Sequence, residues 1–291
     1  MKRQNSFKEN NAKIYLVATP IGNLKDITYR AIETLNFVDI IYCEDTRTSL
    51  KLLNHYSIKK PLKSVHLFNE KEIAEEIVNT ALQGQNVAVI SDAGLPIISD
   101  PGSLVVKLAV EKDVDVVPIP GANAALTALI ASGIDATKFL FVGFLNHKVT
   151  KKKEELKKLV NNEATIILYE APHKLLDTLN ILNELYSDRQ IVLARELTKL
   201  HEEFLRGTPK EILEIAENLK GEMVIIIEGC KNPIEDNIKD LNNLSIEEHY
   251  NYYISQNIDS KTAMGLVAKD RGISKKEVYN IIKKWGILML L

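Results

Sequence analysis

From residue 13 onward, short runs of Val, Ile and Leu alternate with amphipathic helical runs, and this alternation limits the possible folds more than any other feature of the chain. KIYLVATP is followed by DITYRAIETLNFVD, IIYCED by TRTSLKLLNHY, and KSVHLF by NEKEIAEEIVNTALQG. NVAVISD then precedes PGSLVVKLAVEKD, and VDVVPIPG precedes ANAALTALIASG. Strand and helix at such short spacing predict a parallel sheet with helices on both faces. Continuous rather than alternating apolar strands agree, because both faces of such a sheet are covered. Asp26 or Thr28 can cap the first helix, Gly84 and Gly133 can end later ones, and Asp100 with Pro101 suits the start of the helix after the fourth strand.

The rhythm changes near residues 131 to 138. FLFVGFL, ATIILYEA, QIVLARELT, EEFLRGT and GEMVIIIEGC are strand-like, between helical HKVTKKKEELKKLVNN, HKLLDTLNILNELYS and PKEILEIAENLK. The expected organisation is a flexible leader over 1–12, an N-terminal α/β domain over 13–133 and a C-terminal α/β domain with a more mixed sheet over 134–232. A polar stretch from 233 to about 244 suits a linker, and 245–291 is expected as a small helix-turn-helix-like domain, from the helix–Gly–Ile–Ser–helix spacing of AMGLVAKDRGISKKEVYNII.

Composition narrows the function classes. A formal net charge of -2 argues against a global basic field, although a local basic patch such as HKVTKKKEELKK or DRGISKKEVYNIIKKW can still grip RNA. Two unclustered cysteines, Cys43 and Cys230, suggest neither a disulfide framework nor a zinc site and fit a reduced, cytoplasmic protein. No apolar run of 18 residues spans a membrane, and MKRQNSFKENNAK lacks the apolar core of a signal peptide.

Ligands of open parallel sheets sit at the carboxyl ends of the strands, and every one of these ends is rich in Gly, Pro or polar residues. ATPIGNL offers only Gly22 where a dinucleotide fingerprint needs several glycines, so a nicotinamide or flavin enzyme is disfavoured. CEDTR gathers Glu44, Asp45 and Arg47, either as a site or as a local ion pair beside a Thr46 cap. HLFNE offers His66 either as a base or as a hydrogen-bonded structural histidine, and Asn69 and Glu70 equally suit caps of the next helix. SDAGLPIISDPG is long, acidic and proline-stiffened, and its Asp92 has no evident structural task. YEAPHK and ARELTK add Glu170, His173, Arg195, Glu196 and Lys199, KGEMVII adds Lys220 and Glu222, and no Ser/His/Asp order or metal-ligand spacing emerges.

Taken in order, VATPIGNLKDITYRA, CEDTR, ISDAGLPIISDPG, PIPGANAALTALIASG, YEAPHK, ARELTK and KGEMV resemble the ribosomal RNA small-subunit methyltransferase I family, within the tetrapyrrole (precorrin/corrin) methylase superfamily, over roughly residues 13 to 230. The resemblance implies two α/β domains with a cofactor cleft between them and a small helical C-terminal extension. It implies S-adenosyl-L-methionine-dependent methylation of the ribose 2′-hydroxyl of a cytidine in the decoding region of 16S rRNA, by a homodimer acting on the small ribosomal subunit. By motif, Pro20, Ile21, Gly22, Asp92, Leu95, Asn123, Ala124, Tyr169 and Met223 would line the donor. Glu44, Asp45, Glu170 and Glu196 are the carboxylate candidates for catalysis, with His66 a further candidate base; Arg47, His66, Asn69, His173, Arg195 and Lys199 are candidates for holding RNA. Leu95 stands where the family usually has threonine, which removes a hydroxyl from one expected ligand contact. Two other readings stand beside this one: a small-molecule, tetrapyrrole-type methylase on the same scaffold, and a non-catalytic RNA-binding protein.

Overall fold

The computed structural model describes residues 2–6, 11–65, 70–99, 102–232, 241, 244–256 and 258–288. Within it, residues 1–230 form one compact unit and 231–291 another.

The first sheet comprises β1 (Ile14–Val17), β2 (Ile40–Cys43), β3 (Leu62–Ser64), β4 (Val87–Ile90) and β5 (Val116–Ile119), in the order β3-β2-β4-β1-β5. Every pairing is parallel. The strands are joined by helices α1 (Tyr29–Phe37), α2 (Thr46–His55), α3 (Glu70–Leu82) and α4 (Ser103–Glu111). Because successive side chains leave a strand on opposite faces, each strand feeds two cores. Ile14, Tyr42, Val87 and Val89 pack with Ile77 and Val78 of α3 and with Val105 of α4. Val17, Ile41, Cys43, Ala88 and Ile90 pack with Leu35 of α1 and Leu53 of α2.

Thr28, rather than Asp26, caps α1 by accepting the Ala31 amide at 3.1 Å, an interaction that typically contributes about 1 kcal/mol. The third strand lies earlier than KSVHLF suggests, at Leu62–Ser64, paired to Ile41–Cys43. The helix after β4 begins at Ser103, with Gly102 (φ 128°) at its N-cap and no side-chain cap; Asp100 and Pro101, expected at its start, lie outside the described residues.

The second sheet is mixed, as the change of rhythm predicts. It contains β6 (Phe139–Phe144), β7 (Thr165–Glu170), β8 (Ile191–Arg195), β9 (Glu203–Gly207) and β10 (Met223–Ile227), in the order β6-β7-β10-β8-β9. β6 and β7 are parallel; β10 runs antiparallel to both β7 and β8, and β9 antiparallel to β8. One face is covered by α6 (Val149–Lys157), α7 (Leu175–Leu185) and the short α8 (Pro209–Leu213), through Leu156, Leu179, Leu182 and Ile212. The other face is covered by α5 (Ala124–Ser132), whose Ala125, Ala128 and Leu129 pack with Ile167, Val192, Val224, Ile226 and Ile21. The second sheet buries one stripe of this apolar helix, while Leu126 and Ile130 stay exposed. Arg206 of β9 anchors the arrangement by donating to the Ala131 and Ser132 carbonyls at 2.7 and 3.0 Å, at the end of α5 where carbonyls lack helical partners.

Residues 231–291 contain α9 (Ile246–Ser255), α10 (Ser260–Arg271) and α11 (Lys275–Leu288). Their core is Val267, Ala268 and Val278 with Tyr250, Tyr253 and Ile273 packed against it. Gly272 ends α10 in the left-handed conformation, which the helix–Gly–Ile–Ser–helix spacing requires. Buried His249 accepts from Arg271 Nε at 3.1 Å through Nδ1, and its pKa is lowered by burial and then by the Arg271 charge.

Candidate active site

Four strand ends of the first sheet converge with one end of the second sheet on a cavity of about 360 Å³, inside the size range of small-ligand sites. From the first sheet come Ile21 after β1, Glu44 after β2, the stretch Asp92–Leu95 with Ile98 and Ser99 after β4, and Asn123 and Ala124 at the start of α5. β10 enters the second sheet opposite the exits of β7 and β8, with Met223 facing both Glu170 and Arg195 across the ladders. That register brings Tyr169 to Pro172, Leu197 and Glu222 to Val224 to the same cavity, with Phe144 from the end of β6.

The long loop after β4 is pinned at its base. Thr19 and Gly94 exchange backbone hydrogen bonds at 2.8 and 3.1 Å, and Thr19 Oγ1 donates to the Ser91 carbonyl at 3.2 Å. Gly94 takes φ 81°, and a Cβ there would sit 3.2 Å from Ile21. Beyond it Ile97 and Ser99 hold φ of 79° and 66°, conformations that cost roughly 1–3 kcal/mol each and persist only where packing enforces them. The loop reaches the second sheet: a Cβ on Gly143 of β6 would lie 3.1 Å from Ser99 Oγ. Its length serves that span between the sheets.

Four carboxylates line the cavity (Glu44, Asp92, Glu170 and Glu222) and no lysine, arginine or histidine does so among the described residues. They are held differently. Asp92 accepts the Asp45 amide at 3.2 Å. Glu222 sits 3.0 Å from the Lys199 ammonium. Glu170 is buried, and its oxygens are committed: Lys152 Nζ donates to Oε2 at 2.7 Å, Thr178 Oγ1 also donates to Oε2, and the Ala171 amide donates to Oε1 at 2.9 Å. Such a carboxylate is an anchor for the strand end beside the cavity, with Oε2 shared by Lys152 and Thr178 and Oε1 held by the Ala171 amide.

Of the donor-lining residues named from the motifs, Ile21, Asp92, Leu95, Asn123, Ala124, Tyr169 and Met223 line the cavity. Pro20 is buried and, with Gly22, is not among the lining residues. Gly22 (φ 153°) packs instead against the segment after β8, where a Cβ would come within 2.7 Å of Lys199 Cγ and 2.9 Å of Thr198 Oγ1. Asn123 uses its side-chain oxygen to cap α5 at the Leu126 amide, 2.9 Å away.

Among the carboxylate candidates, Glu44 lines the cavity, whereas Asp45 and Glu196 do not. Asp45 is the N-cap of α2, the role the sequence suggested for Thr46; it accepts the Arg47 amide at 2.8 Å and pairs with the Arg47 guanidinium at 2.8 Å. The Arg47 side chain, and then its amide, hold the Asp45 carboxyl down at about 2. A depressed carboxyl stabilises the folded state above the ordinary aspartate value of 3.8, and that contribution fades as pH falls through about 2. In Arg47→Ala, the Asp45 carboxyl resonance should titrate closer to 3.8 by NMR; a titration unmoved from the parent's would remove Arg47 as the cause. Glu196 (φ 50°) accepts Lys199 Nζ at 3.0 Å and the Glu222 amide at 3.2 Å, and the Lys199 contact leads in lowering its pKa.

None of the described residues proposed for RNA lines the cavity. Arg47 is exposed against Asp45. Arg195 pairs with Glu203 and donates to the Lys220 carbonyl at 3.2 Å, and Lys199 bridges Glu196 and Glu222 at 3.0 Å each. His173 is exposed in the turn Pro172–Lys174, next to the lining residues Ala171 and Pro172. His66 and Asn69 lie outside the described residues. Glu222 of KGEMVII also lines the cavity, whereas Lys220 does not, and Phe144 lines it without having been singled out as a site residue. The glycine inside the strand-like run FVGF is the one sequence signal of an irregularity there.

Comparison with known proteins agrees with this geometry. The family described as Tetrapyrrole (Corrin/Porphyrin) Methylases matches residues 13–213. A Bacillus subtilis (strain 168) protein named Ribosomal RNA small subunit methyltransferase I is 46% identical over 96% of this chain and 98% of its own length. One of the same name from Haemophilus influenzae is 45% identical over 91% of this chain and 94% of its own. Among solved structures, uroporphyrin-III-C-methyltransferase from Thermus thermophilus superposes with a TM-score of 0.55 at 20% identity, covering 75% of this chain and 94% of that one. Diphthine synthase gives 0.59 at 14%, covering 75% and 90%. At such identities the two structures speak for the shared fold alone. With its mixed second sheet, its cavity between the sheets and its near full-length match to these relatives, the chain belongs to the ribosomal RNA small subunit methyltransferase I family of tetrapyrrole methylases.

Proposed function

We propose that this chain transfers a methyl group from S-adenosyl-L-methionine to the ribose 2′-hydroxyl of a cytidine in the decoding region of 16S rRNA, as a cytoplasmic homodimer acting on the small ribosomal subunit. The observation that carries the donor half is the charge of the cavity. Lys152 and Lys199 pair with Glu170 and Glu222, but among the described residues no lysine, arginine or histidine lines the cavity itself, and Glu44 and Asp92 add further carboxylates to its wall, a lining that favours a cationic ligand over an anionic one. S-adenosyl-L-methionine brings a positive sulfur and an ammonium, so the residues present fit it. Its bound sulfonium would supply the methyl group in already activated form.

Everything else falls to the chain. Asp92 offers a carboxylate to a cationic group, while Ile21, Leu95, Met223 and Val224 supply apolar walls that exclude water. Orienting the acceptor oxygen can lower the barrier by roughly 7–11 kcal/mol in well-aligned cases. Glu44, at the carboxyl end of β2 and in the cavity, is the carboxylate placed to take the hydroxyl proton. The relatives' shared name supports rRNA as the acceptor. Large exposed apolar side chains outside the cavity, Tyr29 and Ile130 among them, are compatible with a second copy covering part of this surface. No helix among the described residues is long and apolar enough to cross a membrane.

Nucleoside mass spectrometry of 16S rRNA from cells with and without the gene tests the reading. Loss of a single 2′-O-methylcytidine is expected; an unchanged 16S nucleoside profile, or a methylated tetrapyrrole in its place, overturns it.

A further inference from the structure

Phe144 lines the cavity but belongs to none of the motifs that suggest donor contacts. It stands at the end of β6, an edge strand of the second sheet. Pairing with β7 starts regularly, with Phe139 opposite Thr165 and Phe141 opposite Ile167. The register then shifts: Gly143 faces Leu168 and Phe144 faces Tyr169, which leaves Val142 as an extra residue. In a regular strand, residues three apart point to opposite faces. The extra residue cancels one alternation, so Phe141 and Phe144 share the face of Ile167 and Tyr169. Gly143 permits the bulge at φ 73°, and the tip of the loop after β4 packs against it through Ser99.

Both rings meet Tyr169 edge-on, with centroids 5.1 Å away for Phe141 and 5.5 Å for Phe144. Phe141 is partly buried with the α5 core, whereas Phe144 remains 61% exposed. An aromatic braced by another ring, aimed by a bulge into a cavity and left largely uncovered is a stacking surface. Since no basic side chain lines the cavity among the described residues, a neutral planar group suits this position better than a phosphate. A nucleotide within folded RNA must be splayed out before an enzyme can reach it, and splayed bases stack on aromatic side chains.

We propose that Phe144 is the platform on which the base of the acceptor nucleoside stacks while its sugar hydroxyl enters the cavity. The assignment rests on the RNA-methylating reading above. It is tested with full-length Phe144→Ala, Phe144→Leu and Phe144→Trp, assayed for methyl transfer to small ribosomal subunits, for S-adenosyl-L-methionine binding by calorimetry and for mass by sedimentation. Losing one base–aromatic stack should lower kcat/KM for the RNA by about 5- to 150-fold in the alanine and leucine variants, mainly through KM, with the donor Kd unchanged. Tryptophan should restore activity to within about threefold, because it retains a π-face.

Full activity in Phe144→Leu would overturn the proposal, since bulk alone would then suffice. A parallel loss of donor affinity would make Phe144 a donor wall instead, and loss of a dimer together with activity would make it an interface residue. If the parent protein itself leaves the subunits unmethylated, the function reading fails; if the parent methylates them and Phe144→Ala matches it, only the stacking assignment fails.

Discussion

Replacing Lys152 by methionine is expected to destabilise the protein by about 3–5 kcal/mol, the usual effect of leaving one member of a buried ion pair without its partner. Lys152 of α6 and Glu170 of β7 have side chains only 2% and 5% exposed, and Thr178 of α7 donates to the same carboxylate oxygen that Lys152 holds. Methionine matches the stem of lysine but leaves the Glu170 charge with the Thr178 hydroxyl and the Ala171 amide alone. For a chain of this size the melting temperature moves by roughly 2–4 °C per kcal/mol, so a drop on the order of 10 °C should appear by calorimetry. Because Glu170, Ala171 and Pro172 line the cavity, donor affinity should weaken together with stability. The double variant Lys152→Met/Glu170→Leu should recover much of the lost stability, since a buried pair exchanged for apolar groups is often neutral. Parent-like melting of the single variant would show that the pair contributes nothing to stability.

Glu44→Gln should leave the donor Kd within a few-fold of the parent and lower kcat by about 10²- to 10⁴-fold, the range typical of losing a general base. Glutamine keeps the size and hydrogen-bonding reach of the side chain but cannot accept the hydroxyl proton. Glu170→Gln should show the opposite profile, an effect dominated by stability, because the Glu170 oxygens are occupied by Lys152, Thr178 and Ala171. Single-turnover kinetics alongside calorimetry separates the two. If Glu44→Gln lost the donor while turnover per bound donor stayed intact, Glu44 would be a binding residue and the proton would leave by another route.

Asp45 and Glu44, adjacent in CEDTR, show how neighbouring carboxylates of similar local signal part company. A cap needs only the following three residues, so Asp45 on α2 is intelligible from CEDTR once the helix start is located. The position of Glu44 in a cavity depends on β4 lying beside β2, which brings the loop from Asp92 against it; no local pattern contains that adjacency. Gly22 illustrates the same limit. Its motif suggests a ligand-lining turn, whereas contact with Thr198 and Lys199, far along the chain, makes it a packing position between the two sheets.

The amino-acid order alone determined the alternation of strands and helices, the parallel first sheet, the mixed second one and the three-helix tail, because hydrophobic period and turn chemistry act over a few residues and survive in any context, and the ordered loop motifs carried the resemblance to the family. Only the tertiary structure decided which carboxylates meet in the cavity, that Glu170 is bound to a buried lysine, and that a bulge turns Phe144 toward the site. Those features depend on strand order, register and burial, and each of these is a compromise among segments more than a dozen residues apart; Gly143 hints at a bulge in its own strand, but nothing local says what that bulge would face.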